Sequence, residues 1–262
     1  MSMPVLTLDQ NLVAIAAGFF IGLVLSLAGG GGSALAIPVM LYVVGLKNIK
    51  LAMGTTVVAI AVTAWISAIP HTFRKTISWS TALAFTVPGF LGLFLGRDVR
   101  AGLPMHLLMV LLGCLMLFNA AFMASTLQTI RPDSGEARPN VGMTMPLGFL
   151  VGVMAGFFGM GGGFLILPSL MFSGLPLVAA VGNSLVSVGS LGIVNAIPYA
   201  INHHIDWRIV AEYIAGGSLG TMIGTPWAKR LGQTRTLSWM VALILVVASL
   251  YMIGANVPDL YT

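Results

Sequence analysis

Two glycine-rich runs are the parts of this sequence best suited to bind a ligand. The first consists of Gly29, Gly30, Gly31, Gly32 and Ser33, and the second of Gly159, Gly161, Gly162 and Gly163. Each interrupts a long apolar stretch and precedes a short apolar segment that contains a proline. Backbone amides freed there, and the positive end of a helix that starts there, can bind an oxyanion, and glycine lets a ligand approach the backbone closely. The runs therefore predict an anion-binding site, and the alternative is that glycine only allows close helix packing.

Polar side chains follow each run in the next apolar segment. They are Thr55 and Thr56 beside Gly54, and Asn183 and Ser184 beside Gly182. Hydroxyl and amide groups can bind an oxyanion without a buried charge. We predict that these four side chains belong to the same substrate site. The alternative is ordinary hydrogen bonding between helices, worth about 0.6 kcal/mol on average in membranes.

Basic residues follow two Ala-Ile-Pro motifs. They are His71, Arg74, Lys75, His203, His204 and Arg208. Such cations can attract an anionic substrate, and a histidine can take up a proton during transport. The alternative is that they belong to ordinary interfacial loops. The adjacent His203 and His204 lack the spacing of a helical metal site, and the sequence predicts no metal or other cofactor.

The candidates lie in a chain whose composition is that of a membrane protein. Of 262 residues, 58% are hydrophobic and 7% are charged, whereas a soluble domain has about 25% charged residues. A membrane-spanning helix needs about 20 apolar residues, and the chain supplies about ten apolar segments. We therefore predict an all-α polytopic membrane protein with about eight to ten membrane segments, including short or re-entrant helices after the glycine runs. The net charge is +5, and nearly all charged residues lie between the apolar segments. This indicates loops in contact with lipid headgroups or anions rather than a nucleic-acid surface.

The two halves of the chain have the same pattern. An offset of 130 residues places Gly18, Gly22 and Pro38 on Gly148, Gly152 and Pro168, and one of 128 places Gly54, Pro70 and Trp79 on Gly182, Pro198 and Trp207. We predict two homologous repeats, 1–128 and 144–262, joined by a polar linker at 129–143. Each repeat has five segments. The second repeat is therefore inverted relative to the first if every segment crosses the membrane, or if the first two segments form a re-entrant hairpin. The two repeats are parallel if the short segment only dips into the membrane, and we favour inversion.

The sequence lacks the motifs of known membrane-embedded enzymes. It contains no HExxH, no GxSxG, no Walker A loop and a single cysteine, Cys114. We predict that the protein is not an enzyme. Glu212 is the one acidic residue well inside a segment, and its place near the start of that segment favours an interfacial position.

The duplicated order of glycine run, short proline-containing segment, Gly54-Thr55-Thr56 or Gly182-Asn183-Ser184, Ala-Ile-Pro and a tryptophan-bearing loop resembles the sulfite exporter TauE/SafE family. The resemblance extends from about Leu12 to Met252. It implies a multi-pass protein of the bacterial inner membrane that works as a secondary transporter, exporting a small sulfur-containing anion such as sulfite or an organosulfonate (sulfoacetate). A cysteine relay, which the resemblance to thiosulfate carriers would suggest, is excluded by the single Cys114.

Two other readings remain open from the sequence: a passive anion channel, and a permease for another small carboxylate or inorganic anion. The expected partners are a small anionic substrate and the lipid bilayer, with no nucleic acid. Homo-oligomerisation is left open.

Overall fold

Helices joined by short turns make up the part of the chain that the structure describes. The structure is a computed structural model, and it describes residues 8–46, 48–100, 102–126, 140–230 and 235–257. No β-strand occurs within these ranges. The predicted all-helical class is confirmed.

The first half contains four long helices and one short composite segment. In chain order these are α1 (Leu8–Ala28), the 3-10 helix Gly29–Leu35, α2 (Ala36–Pro38), the π-helix Val39–Val43, α3 (Ile49–Phe73), α4 (Trp79–Arg100) and α5 (Met105–Thr126). The second half contains α6 (Val141–Phe158), α7 (Gly163–Phe172), α8 (Leu177–Ile201), α9 (Trp207–Arg230) and α10 (Arg235–Asn256).

Polar side chains fix where several of these helices begin. The Oδ1 atom of Asn48 accepts from the N–H groups of Lys50 and Leu51 at 3.0 and 3.2 Å, which caps α3. The Oδ1 atom of Asp206 accepts from the N–H groups of Arg208 and Ile209 at 3.0 and 3.2 Å, which caps α9. Side-chain oxygens at this position satisfy amides that have no partner inside the helix.

The outer surface is apolar, as a lipid-facing surface must be. Four helices among the described residues, α3, α4, α6 and α8, are long and apolar enough to cross a membrane. Large apolar side chains point outward along them and their neighbours, including Leu91, Phe118 and Met222 at 66%, 63% and 71% exposure. Soluble proteins rarely expose contiguous apolar surface on this scale. The chain is therefore a multi-pass membrane protein.

Helices α3 and α8 pack side by side in opposite directions. Gly54, near the start of α3, lies against Tyr199 at the end of α8, and Gly182, near the start of α8, lies against His71 near the end of α3. Corresponding helices of the two predicted repeats thus run antiparallel. This is the direction that the inverted arrangement requires, and the duplication itself stays a prediction.

Two further helix pairs, α1 with α9 and α4 with α6, approach so closely that only glycine fits between them. A Cβ atom on Gly22 would collide with the carbonyl oxygen of Gly217, and one on Gly152 with that of Gly89. Small residues allow such close approach of helix backbones in membranes. The packing role considered for glycine therefore applies to these positions outside the two runs.

The two glycine runs differ in backbone conformation. Residues 29–35 continue α1 as a 3-10 helix rather than forming an open break. In the second run the chain leaves the helix, because Gly159 and Gly162 adopt left-handed conformations with φ of 70° and 62°. Glycine adopts this region without the steric cost that a Cβ atom brings. The expectation of two equivalent unwound segments is wrong for the first run.

Candidate functional site

The two glycine runs meet in the interior of the protein. A Cβ atom on Gly30 would collide with the carbonyl oxygen of Gly163, and one on Gly163 with the hydroxyl of Ser33. The amide of Gly30 donates to Oγ of Ser184 at 3.2 Å, and the hydroxyl of Ser33 donates to the carbonyl of Gly30 at 2.8 Å. Val188, near the middle of α8, also lies against both glycines. The meeting point of Gly30, Ser33, Gly163 and Ser184 is therefore at about the mid-depth of α8.

Helix α7 starts at this meeting point. Its N-cap residue, Gly162, contributes no side-chain hydrogen bond. The first amides of a helix have no partner within the helix, and the helix dipole adds partial positive charge there. The start of α7 is thus an electropositive group of backbone donors, inside the protein and next to the first run.

Asn195 and Tyr199 hold the second run in its open form. The side-chain amide of Asn195 donates to the carbonyls of Ala155 and Met160, both at 3.0 Å, and the hydroxyl of Tyr199 donates to the carbonyl of Gly159 at 3.3 Å. Ser67 occupies the position of Asn195 in the first half, and its hydroxyl donates to Thr63 within its own helix at 2.7 Å. The first run therefore lacks an amide that could satisfy freed carbonyls, which explains why it stays helical.

The other predicted polar residues are buried, but the structure does not bring all of them to this meeting point. Antiparallel packing places Thr55 and Thr56, near the start of α3, toward the end of α8, and it places Asn183 toward the end of α3. Oγ1 of Thr55 accepts from the amide of Asp206 at 3.0 Å, which fixes the turn before α9. The side-chain nitrogen of Asn183 donates to the carbonyl of Ala179 at 2.7 Å. Oγ1 of Thr56 and Oδ1 of Asn183 have no hydrogen-bond partner within the described chain. A buried polar atom left unpaired costs about 1–3 kcal/mol, so these two atoms are candidates for contact with a ligand.

The six predicted histidine and basic residues divide between opposite ends of the helices, because α3 and α8 are antiparallel. At the end of α3, His71 is buried and its Nδ1 atom lies 3.1 Å from Oγ1 of Thr76, while Arg74 is exposed. Lys75 and His203 adopt left-handed conformations with φ of 56° and 55°, and they end α3 and α8. None of these residues touches the meeting point of the runs.

Two more members of this set lie near the start of α9. Nε of Arg208 lies 3.3 Å from Oε1 of Glu212, and this ion pair joins residues one helical turn apart. Glu212 thus has a cationic partner near the start of its helix, which fits the predicted interfacial position. His204 is partly buried and lines a cavity.

That cavity has a volume of about 420 Å³ and opens where α3 begins and α4 and α8 end. Its polar lining consists of Lys50, Arg97, Arg100, Asn195, Tyr199, Asn202 and His204. Nη1 of Arg100 donates to the hydroxyl of Tyr199 at 2.8 Å. Because Tyr199 and Asn195 also bind the carbonyls of the second run, the cavity ends at that run.

Comparison with known proteins agrees with this architecture. Residues 14–252 match the model of the family described as sulfite exporter TauE/SafE. The chain belongs to this family. A "probable membrane transporter protein" of Xylella fastidiosa (strain Temecula1) is 36% identical to this TauE/SafE protein over 252 residues, which are 95% of this chain and 97% of the relative. The "probable membrane transporter protein YunE" of Bacillus subtilis (strain 168) is 23% identical over 266 residues, 92% of this chain and 96% of the relative.

The sequence analysis of the TauE/SafE protein gave no role to Lys50, Arg97 or Arg100. One signal was available, because the repeat offset of 128 places Arg97 and Arg100 on Thr225 and Ala228. Two cations that appear in one predicted repeat only depart from the shared pattern.

Proposed function

We propose that this TauE/SafE family member is a secondary transporter that exports a small sulfur-containing anion across the bacterial inner membrane. Sulfite and organosulfonates such as sulfoacetate are the proposed substrates. The observation that supports this most directly is the contact between Gly30 and Gly163 near the middle of α8. Interrupted segments that meet near the bilayer midplane are typical of substrate sites in secondary transporters.

The meeting point offers the chemistry that an oxyanion needs. The amides at the start of α7 supply donors and partial positive charge without a basic side chain. Ser184 already accepts from the first run across the interface between the halves. The buried, unpaired hydroxyl of Thr56, which lies toward the end of α8, is a proposed donor on the path to the meeting point. In this proposal the substrate takes these donors and replaces the direct contact between the two runs.

The antiparallel packing of α3 and α8 suggests how access alternates. Movement of one half against the other around a fixed midplane site exposes that site first to one face and then to the other. The hydrogen bond from Gly30 to Ser184 joins the two halves at the site, so substrate binding and this movement are coupled.

The test is flux of labelled sulfite and sulfoacetate in proteoliposomes, under imposed pH gradients and membrane potentials. We expect saturable flux that responds to at least one gradient. Absence of flux for every sulfur oxyanion removes the proposal. Non-saturating flux with single-channel currents would instead identify a passive anion channel, and saturable flux of carboxylates alone would identify a different permease.

A matched pair of threonine variants tests whether Thr56 takes part in substrate binding. Thr56→Val removes the unpaired buried hydroxyl and preserves shape, so we expect the KM for sulfite to rise about tenfold or more, since a hydrogen bond to a charged group is worth about 1.5–3 kcal/mol. Thr72→Val is the control, because Thr72 is exposed on the same helix and donates to the carbonyl of Ala68 at 3.2 Å. Equal KM values for the two variants would exclude Thr56 from the site.

A further inference from the structure

The cavity between α3, α4 and α8 concentrates positive charge without an acidic counterpart. Lys50, Arg97 and Arg100 lie in its wall, and none of the described residues that line it is Asp or Glu. A concave surface of one charge sign raises the local concentration of ions of the opposite sign. Its volume of about 420 Å³ lies within the range of about 300–1,000 Å³ found for small-molecule sites. The cavity is therefore suited to a small anion.

Arg100 is the cation in this wall whose N–H donors face weak acceptors. It is partly buried, and none of the described carboxylates forms an ion pair with it. Within the part of the chain that the structure describes, its Nη2 atom reaches only the thioether sulfurs of Met53 and Met105, at 3.8 and 3.9 Å. A guanidinium group has five N–H donors and a thioether is a weak acceptor. Because cations removed from water are normally paired, this arrangement favours an anionic ligand.

The guanidinium group is also held in place at the second glycine run. Its Nη1 atom donates to Tyr199, whose hydroxyl donates to the carbonyl of Gly159. The Cζ atom of Arg100 lies 6.0 Å from the centre of the Tyr199 ring. A Cβ atom on Gly159 would collide with Nη1 of Arg100. Glycine at position 159 is thus needed for this approach as well as for the left-handed turn.

We propose that Arg100, positioned by Tyr199, is the residue that binds a small oxyanion in this cavity before the oxyanion reaches the glycine runs. A guanidinium group presents parallel N–H donors that match two oxygens of a carboxylate, phosphate or sulfonate. Lys50 and Arg97 contribute attraction at the wall. This site rests on the proposed transport function and adds to it a binding step at one face of the membrane.

Calorimetric titration of the purified full-length protein with sulfoacetate tests the site. Arg100→Gln removes the charge, and we expect its Kd to be about 10- to 100-fold above the wild-type value. Arg100→Lys keeps the charge and loses the paired donors, so its Kd should lie between the two. Tyr199→Phe keeps the aromatic ring but removes the hydroxyl that holds the guanidinium group. We expect its Kd to rise less than that of Arg100→Gln.

Arg74→Gln serves as the comparison, because it removes one exposed charge at the other end of α3. By helix rise, Arg74 is roughly 35 Å from Lys50 in the cavity wall. Charges that far apart are screened at physiological ionic strength, so we expect its Kd to stay near the wild-type value. An equal loss of affinity in Arg74→Gln would mean that general surface charge is responsible, and would overturn the proposal. Neutral dimethyl sulfone is the matched uncharged ligand, and binding as tight as that of sulfoacetate would overturn it too.

The remaining outcomes separate this site from the transport proposal. Wild-type affinity in Arg100→Gln, or no binding of sulfoacetate by the wild-type protein, overturns the Arg100 site. If Arg100→Gln does not fold, wild-type affinity in both Arg100→Lys and Tyr199→Phe has the same meaning. Saturable flux with an unchanged KM in Arg100→Gln retains the transporter without this site, whereas binding that needs Arg100 in a protein without any flux retains the site without the transporter.

Discussion

At the scale of single residues, Asn195 determines the difference between the two halves. Its buried amide donates to the carbonyl of Met160 in the second run and to that of Ala155, which also accepts from the backbone amide of Met160 at 3.1 Å. Ser67 at the corresponding position bonds only within its own helix. One amide thus allows an open glycine turn where a hydroxyl leaves a continuous helix. In a membrane this matters more than in water, because no solvent is present to satisfy freed backbone groups.

We predict that Asn195→Ala destabilises the protein much more than Ser67→Ala. The first change removes the Asn195 donor from the buried carbonyl of Met160, at about 1–3 kcal/mol, and a second bond to Ala155, whose carbonyl keeps the backbone donor of Met160. The second change removes a single bond worth under about 1 kcal/mol. Thermal unfolding of both variants in detergent, without ligand, measures the difference. Similar unfolding temperatures for the two variants would contradict the role assigned to Asn195.

The residue scale is also where sequence reasoning reached its limit. The types of Gly30, Ser33, Gly163 and Ser184 pointed to one site, and the structure brings these four together. Arg100 could not be found in the same way, because a basic residue at the end of a membrane helix looks like an orienting charge. The packing of α6 against the end of α4 places it beside Gly159, and α8 brings Tyr199 to the same point. The conformation of the first run was missed because it depends on the residue at position 67. That residue is Ser, whereas Asn195 stands 128 positions later.

At the scale of elements, apolar length and proline or glycine interruptions were sufficient to locate the helices. The apolar runs of the sequence at 51–70, 79–96, 178–198 and 208–225 lie within α3, α4, α8 and α9, respectively. Which helices pair was not predictable, because apolar faces in lipid carry no directional pattern. The glycines that mark the tight pairs were visible only as repeat matches.

We predict that Gly152→Ala weakens the pairing of α4 and α6. The new methyl group would meet the carbonyl oxygen of Gly89, a backbone atom that cannot rotate away. Overpacking of this kind costs about 1–3 kcal/mol, so thermal unfolding in detergent should begin at a lower temperature.

Gly254→Ala is the control for that substitution. Gly254 lies in α10 with no atom within 4 Å of its would-be Cβ. Alanine is favoured over glycine in helices by about 1 kcal/mol, so this variant should be as stable as the wild type or more so. A loss in Gly254→Ala equal to that in Gly152→Ala would mean that glycine is required for reasons other than helix contact.

At the scale of the whole molecule, the opposite directions of α3 and α8 link the fold to the proposed transport. Antiparallel α3 and α8 place the cationic cavity at one face and the end of α3, with Arg74, at the other. A midplane site between two oppositely oriented halves can be approached from either face by related movements.

We predict that residues at the two ends of α3 are on opposite faces of the membrane and that the end of α8 shares a face with the start of α3. Three single-cysteine variants, Lys50→Cys, Asn202→Cys and Arg74→Cys, test this in a Cys114→Ala background, and all three positions are exposed. A membrane-impermeant maleimide applied to intact cells should label either Lys50→Cys and Asn202→Cys together or Arg74→Cys alone. Labelling of all three after permeabilisation is the control for accessibility. Labelling of Asn202→Cys and Arg74→Cys from the same face would mean that α3 and α8 run parallel, and it would remove the inverted arrangement on which the alternating movement depends.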